Sequence, residues 1–347
     1  MLILLCASLT STAQAQAPDE VKTLIKQGVA LYDEGKYDEA VLRYKQALKL
    51  APDNFTAQYE LAMTYGSLGR NEEVVELCKQ LLKSEQADAS VYVTYGSALD
   101  DLKRPQEAVR IYQAGIKKYP ASGLLYFNLG VTQAGMQRYQ DATESMQMAV
   151  RQNPKHASAH RILALLTAQS NRVPAIFASV RFLQLEPRGQ RAVGGLEVLD
   201  KLMGQNVRKT GENAVTLNMS PDMLKQMNGK KNMPDNFGMT DMLLTMTSAL
   251  DYDEKNKDKS TTVRLAEKLT LLCENLEEKK PETHPGFAWN YYVPYFITLK
   301  KAGYLPTLAY LIQAARPGQP EAQQWLEQHP SEVKELQEWS EAYKWPQ

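Results

Sequence analysis

One pattern returns through the first half of the chain every 34 residues, and it limits the fold more than any other feature of the sequence. Gly28, Tyr32, Gly35, Tyr37, Ala40, Tyr44, Ala47 and Pro52 make its first instance. From Phe55 comparable places are taken by Ala62, Tyr65, Gly69, Val74, Cys78, Leu81 and Gln86. From Ala89 they are Tyr92, Gly96, Leu99, Ala108, Tyr112, Gly115 and Pro120. From Gly123 they are Tyr126, Gly130, Tyr139, Ala142, Met146, Ala149 and Pro154. A fifth instance, distorted by about one residue, runs over 157–187 and keeps Ala164, Ala175 and Phe182. Each instance predicts a helix, a tight turn and an antiparallel helix. Small residues let the two helices approach, and proline after the second helix stops it. A single hairpin cannot bury its apolar face, but stacked hairpins make a continuous core.

This register resembles that of the tetratricopeptide repeat family, in its exported bacterial form, over residues 21–188, with hairpins starting near 21, 55, 89, 123 and 157. The resemblance implies an all-α fold, a right-handed α-α superhelix or solenoid. Its concave wall would be lined by the first helix of each pair and would hold a partner protein or peptide. Carried over position by position, the groove candidates are Ile25, Val29 and Tyr32, then Tyr59 and Met63, then Val93 and Asp100. Phe127 and Val131 follow in the fourth unit and Arg161 in the fifth. Chaperone-binding members of the family clamp a peptide carboxylate with lysine and asparagine. Here Ile25 and Val29 stand in those places, so a clamp of that kind is not expected.

Beyond 188 the register fades. Gly194-Gly195 interrupts a helical pattern, and 204–237 is rich in Gly, Asn, Lys, Met and Pro, so 189–237 is expected to be an irregular linker or draping segment. It would hold one short helix near 221–228 and a short strand at 214–218 whose partner the sequence does not name. Residues 238–347 read as a mainly helical region, with helices near 240–250, 261–276, 286–301, 305–314, 318–328 and 331–342. The aromatic run Phe287–Phe296 is expected to form a terminal core that seals the array, with Pro294 kinking its helix. A second reading makes it an exposed binding patch.

Forty basic and forty acidic residues leave no net charge. That balance argues against a nucleic-acid partner, which selects a basic excess or stripe. The apolar run 2–9, followed by small residues and Pro18, reads as a signal peptide over 1–17 with cleavage after Ala15 or Ala17. The expected location is therefore periplasmic or envelope-associated, with full secretion as the alternative. No later stretch is apolar enough to span a bilayer. Cys78 falls at a helix-packing position and reads as a small buried hydrophobe. His156 and His160 stand four apart with no glutamate between them, so surface or capping roles are favoured over a metal. No phosphate loop, nucleophile elbow or Cys-x-x-Cys pair occurs, and no cofactor, metal or catalytic residue is assigned. The expected function is a non-catalytic interaction scaffold. The competing reading is a docking array attached to a catalytic or ligand-binding C-terminal domain.

Overall fold

The computed structural model describes residues 9–211, 214–228, 234–279, 286–318 and 320–346. The first eight residues of the expected leader, and residues 281–285 between the helices expected near 261–276 and 286–301, lie outside them. Contacts divide the chain into two units, Met1–Ser145 and Met146–Gln347.

In the first unit the 34-residue period becomes α1 (Leu9–Asp33), α2 (Tyr37–Leu50), α3 (Phe55–Ser67), α4 (Asn71–Leu81), α5 (Ala89–Asp101), α6 (Pro105–Lys118) and α7 (Gly123–Gly135), followed by the start of α8 (Tyr139–Gln152). Each turn between paired helices uses one left-handed residue at the same repeat position: Gly35, Gly69, Lys103 and Gln137, with φ of 75°, 70°, 60° and 61°. The next amide donates back across the turn: Lys36 to Leu31, Arg70 to Tyr65, Arg104 to Leu99 and Arg138 to Gln133, at 2.8–2.9 Å. This pairs the carbonyls that a helix end would otherwise leave open. Glycine adopts the geometry freely, whereas Lys103 and Gln137 hold it at a cost of about 1 kcal/mol each. Helix starts are fixed by side chains as well. Asn54 Oδ1 accepts from the Ala57 amide and Asp88 Oδ1 from the Ser90 amide, both at 2.9 Å.

Packing within a hairpin depends on matched sizes. The α-hydrogens of Gly28 and Gly96 lie against the rings of Tyr44 and Tyr112, where a Cβ would sit under 3 Å from ring carbons. The second repeat places Ala62 and Cys78 at the same two positions. Tyr44, Cys78 and Tyr112 are all fully buried, and burial pushes the Cys78 thiol up to about 12. One apolar cluster runs without a break from Ala40 to Leu129.

The second unit contains the end of α8, then α9 (Ala157–Thr167), α10 (Arg172–Leu185), α11 (Gln190–Gly204), the strands β1 (Val207–Lys209) and β2 (Val215–Leu217), α12 (Pro221–Asn228), α13 (Gly238–Ala249), α14 (Thr261–Glu278), α15 (Phe287–Lys301), α16 (Leu305–Gln313), α17 (Pro320–Gln328) and α18 (Pro330–Ala342). Its centre is α10. Every residue from Arg172 to Leu183 is buried: apolar side chains occupy every side of the segment and need cover on every side, and Arg172, Ser179 and Arg181 are enclosed with them. Helices α9, α11, α13, α15 and α16 supply that cover. The fifth hairpin is thus the core of this unit, not only the last step of a repeat.

Two expectations change here. The segment expected to be irregular from 189 begins with α11, which runs straight through Gly194-Gly195. Gly195 faces Phe182, and a Cβ there would collide with the ring. The glycine allows close approach and does not break the helix. His160 is not on the surface. It is fully buried, with Nδ1 2.7 Å from the Tyr292 hydroxyl and Nε2 3.0 Å from the Pro154 carbonyl oxygen. His156 precedes α9 and caps it, its Nδ1 accepting from the Ala159 amide. Four residues of helix turn the second histidine inward.

Strand β2 falls within the expected strand and pairs antiparallel with β1, Val207 opposite Leu217 and Lys209 opposite Val215. The aromatic run forms α15, which continues through Pro294. Tyr291, Tyr292, Tyr295 and Phe296 are buried. Phe296 stacks on Phe177 of α10 with centroids 4.5 Å apart, and the Tyr291 hydroxyl donates to the Val150 carbonyl at 2.6 Å.

Candidate partner-binding face

First helices meet in series within the first unit: α1 touches α3, α3 touches α5, and α5 touches α7. Polar seams join them one by one. The Tyr32 hydroxyl lies 2.9 Å from Ser67 Oγ. Thr94 Oγ1 donates to the Met63 sulfur at 3.4 Å. Thr132 Oγ1 donates to Asp100 Oδ2 at 2.6 Å, and the Tyr112 hydroxyl donates to the same oxygen at 3.1 Å. Each of these bonds joins side chains roughly one repeat or less apart, so the period that builds the hairpins also registers the face.

The candidates divide into four kinds. Ile25, Val29, Tyr32, Tyr59 and Val93 are half-buried and pack their inner edges on the core cluster. Tyr59 also stacks on Phe55 with centroids 6.3 Å apart. Asp100 is half-buried, and its carboxylate ties α5 to α7 through Thr132. Met63 and Val131 stand out into solvent, 36% and 42% exposed, with Phe127 half-buried on the same helix as Val131. Arg161 is exposed on α9 of the second unit. The selection left out Leu124, which is 47% exposed on α7, and the hydroxyl partners Ser67, Thr94 and Thr132. Leu124 was available at the second position of its repeat. Ser67 was available too, at the thirteenth position of its repeat; Thr94 and Thr132 carried no signal, because threonine is ordinary on any helix.

Helix α1 carries Lys22 and Lys26, but along α3, α5 and α7 the charge is one-sided. Helices α3, α5 and α7 contain no lysine or arginine. Asp33, Glu60, Asp100 and Asp101 are carried by α1, α3 and α5, and among the described residues none of them forms an ion pair. Burial, and then the neighbouring Asp33 charge, raise the Glu60 carboxyl above its usual range. Burial raises Asp100 too, against the two hydroxyl bonds that favour its charged form. Such a face can accept hydrogen bonds, attract cations and cover apolar groups. Among the described residues no three His, Cys, Asp or Glu side chains are grouped to hold a metal ion. No described helix is long and apolar enough to cross a membrane.

Three segments match family descriptions: residues 28–69 match "TPR repeat", and residues 55–88 and 127–175 each match "Tetratricopeptide repeat". No curated protein matches the chain. Among solved structures, Pseudomonas aeruginosa PilF is similar at 22% identity, covering 53% of this chain and 85% of its own, with a TM-score of 0.48. PilW, described as a type IV pilus biogenesis factor, is similar at 19% identity, covering 53% and 91%, with a TM-score of 0.45. YrrB, described as a TPR protein with an unusual peptide-binding site, is similar at 19% identity, covering 52% and 94%, with a TM-score of 0.40. The helix pairing and the repeat matches together make this an all-α, tetratricopeptide-type fold with a helical C-terminal region.

Proposed function

We propose that the chain is a non-catalytic interaction scaffold, and that the first-helix face of the first unit holds a segment of a partner protein. The observation that carries this reading is the composition of that face. Met63 on α3 and Leu124 and Val131 on α7 are apolar and open to water; α3 and α5 carry Glu60, Asp100 and Asp101 with no ion-pair partner among the described residues, and α3, α5 and α7 hold no base. Apolar area of this kind is stabilised when a partner covers it. The carboxylates would select a partner segment that is both basic and apolar, and charge of one sign speeds the encounter. The concave side of the repeats is where this face would lie in a solenoid of the family it resembles. The expected leader supports export to the periplasm or envelope as the setting.

A photo-crosslinking residue tests the site. Placed at Met63 or Val131, it should join one protein partner in the native envelope. Placed at Leu42, which is 61% exposed on the second helix α2, it should not. Equal crosslinking from both places would remove the assignment.

A further inference from the structure

Helix α10 carries two arginines into the interior of the second unit, and they are treated differently. Arg172 meets a carboxylate: its Nη1 donates to Asp241 Oδ1 at 2.7 Å. Arg181 is 1% exposed, and among the described residues no carboxylate lies within ion-pairing distance of it. Its acceptors are neutral. Nη1 shares two hydrogens among Gln184 Oε1 at 2.9 Å, Ser340 Oγ at 2.8 Å and the Tyr295 hydroxyl at 3.2 Å. Nη2 has one long contact of 3.4 Å to the Pro154 carbonyl, and Nε donates to nothing. The rings of Tyr295 and Trp345 flank the guanidinium at 5.2 and 5.1 Å. A guanidinium offers five N–H donors and cannot shed its charge. An interior cation left without an anion is unfavourable by several kcal/mol.

The same side chain lines an open pocket of about 370 Å³, within the usual size for small-molecule sites. Arg151, Lys155 and Lys344 line it as well, against one carboxylate, Glu341. Four positive groups to one negative, with Ser340 and the Trp345 ring in the wall, make a cationic recess with an aromatic side. We propose that this pocket binds an oxyanion, the carboxylate or phosphate group of a small ligand, which completes the coordination of Arg181. The spare donor capacity of the guanidinium would meet its oxygens from the pocket wall, and Lys344 would hold it from the rim.

The test is titration of the full chain at fixed ionic strength with inorganic phosphate and, separately, with succinate, followed by calorimetry and by the thermal midpoint. Saturable binding of either anion, weakened at least tenfold by Lys344→Glu at the exposed rim, supports the site. Binding of both marks a general oxyanion site, and binding of one names the class. Arg181→Met should abolish the response and leave the ligand-free protein as stable as before or more so, since it removes an uncompensated charge. The proposal is overturned if neither anion saturates, or if the midpoint follows ionic strength alone. It is also overturned if Lys344→Glu binds as tightly as the native protein.

Discussion

Replacing Arg172 with methionine tests how the second unit is held together. The side chain makes four bonds from α10: Nε to the Leu202 carbonyl at 2.6 Å, Nη2 to the Met203 carbonyl at 3.0 Å, and Nη1 to Asp241 at 2.7 Å and Thr245 at 2.9 Å. It therefore closes the C-terminal end of α11 and pins α13 in one arrangement. Ser248 still donates to the Met203 carbonyl without it, but Asp241 would remain buried with its charge unmatched. Removing one member of a buried pair costs about 3–5 kcal/mol. We expect Arg172→Met to lose about 4 kcal/mol near neutral pH. The Asp241 carboxyl is already raised by burial, with Arg172 opposing, so in the variant it rises further. A carboxyl raised in the folded state stabilises the fold at pH values below its unfolded pKa and loses that contribution as pH rises through the folded value. The deficit should therefore shrink toward acid. The double variant Arg172→Met, Asp241→Leu should recover to within about 2 kcal/mol of native, because no charge is left stranded. All four tryptophans, Trp289, Trp325, Trp339 and Trp345, lie in the second unit, so urea unfolding followed by tryptophan fluorescence reads this unit directly. A single-variant cost below about 1 kcal/mol, or a double variant no better than the single, would refute the reasoning.

His160 should make the second unit acid-sensitive. Burial, then the Arg181 charge, with a smaller contribution from His156, push its pKa down to about 3. Its stabilising contribution is present above the unfolded value and lost as pH falls, about 2 kcal/mol between pH 6.5 and 4.5. His160→Gln should flatten that slope relative to native in pH-dependent urea titrations. In the first unit, Lys103→Gly should gain up to about 1 kcal/mol by relieving the left-handed turn, read as a higher midpoint by circular dichroism. Gly96→Ala should lose about 1–3 kcal/mol, because Tyr112 is buried and bonded to Asp100 and cannot swing away from the new methyl.

The first unit was legible because its constraints are local and repeat. The left-handed turn residue, the small residue beneath a tyrosine and the proline after the second helix each recur at one spacing. The second unit departs from any period, and its signals read differently in isolation. Gly194-Gly195 looks like a break until Phe182 is found against Gly195. Both strands are three residues long; Val215-Thr216-Leu217 is rich in strand-favouring residues, whereas Val207-Arg208-Lys209 carries two charges and does not mark itself as the partner. Arg181 stands in a mostly apolar helical segment. The lack of a nearby carboxylate is a fact of three-dimensional arrangement and leaves no trace in sequence. On the candidate face the repeat positions found exposed Met63 and Val131 together with Asp100, which also links α5 to α7. Repeat position fixes direction along the helix but not whether a neighbouring repeat supplies Thr132.

The most direct measurement is quantitative capture of partners from the native cells by the native protein and by Met63→Glu combined with Val131→Glu. Both side chains are exposed, and Met63 gives up only the 3.4 Å bond from Thr94, so the variant should stay close to the native midpoint. The account predicts one dominant co-purifying protein, reduced at least tenfold by the double variant and weakened by added salt. A partner retained equally by the variant, or no partner at native concentrations, would contradict it.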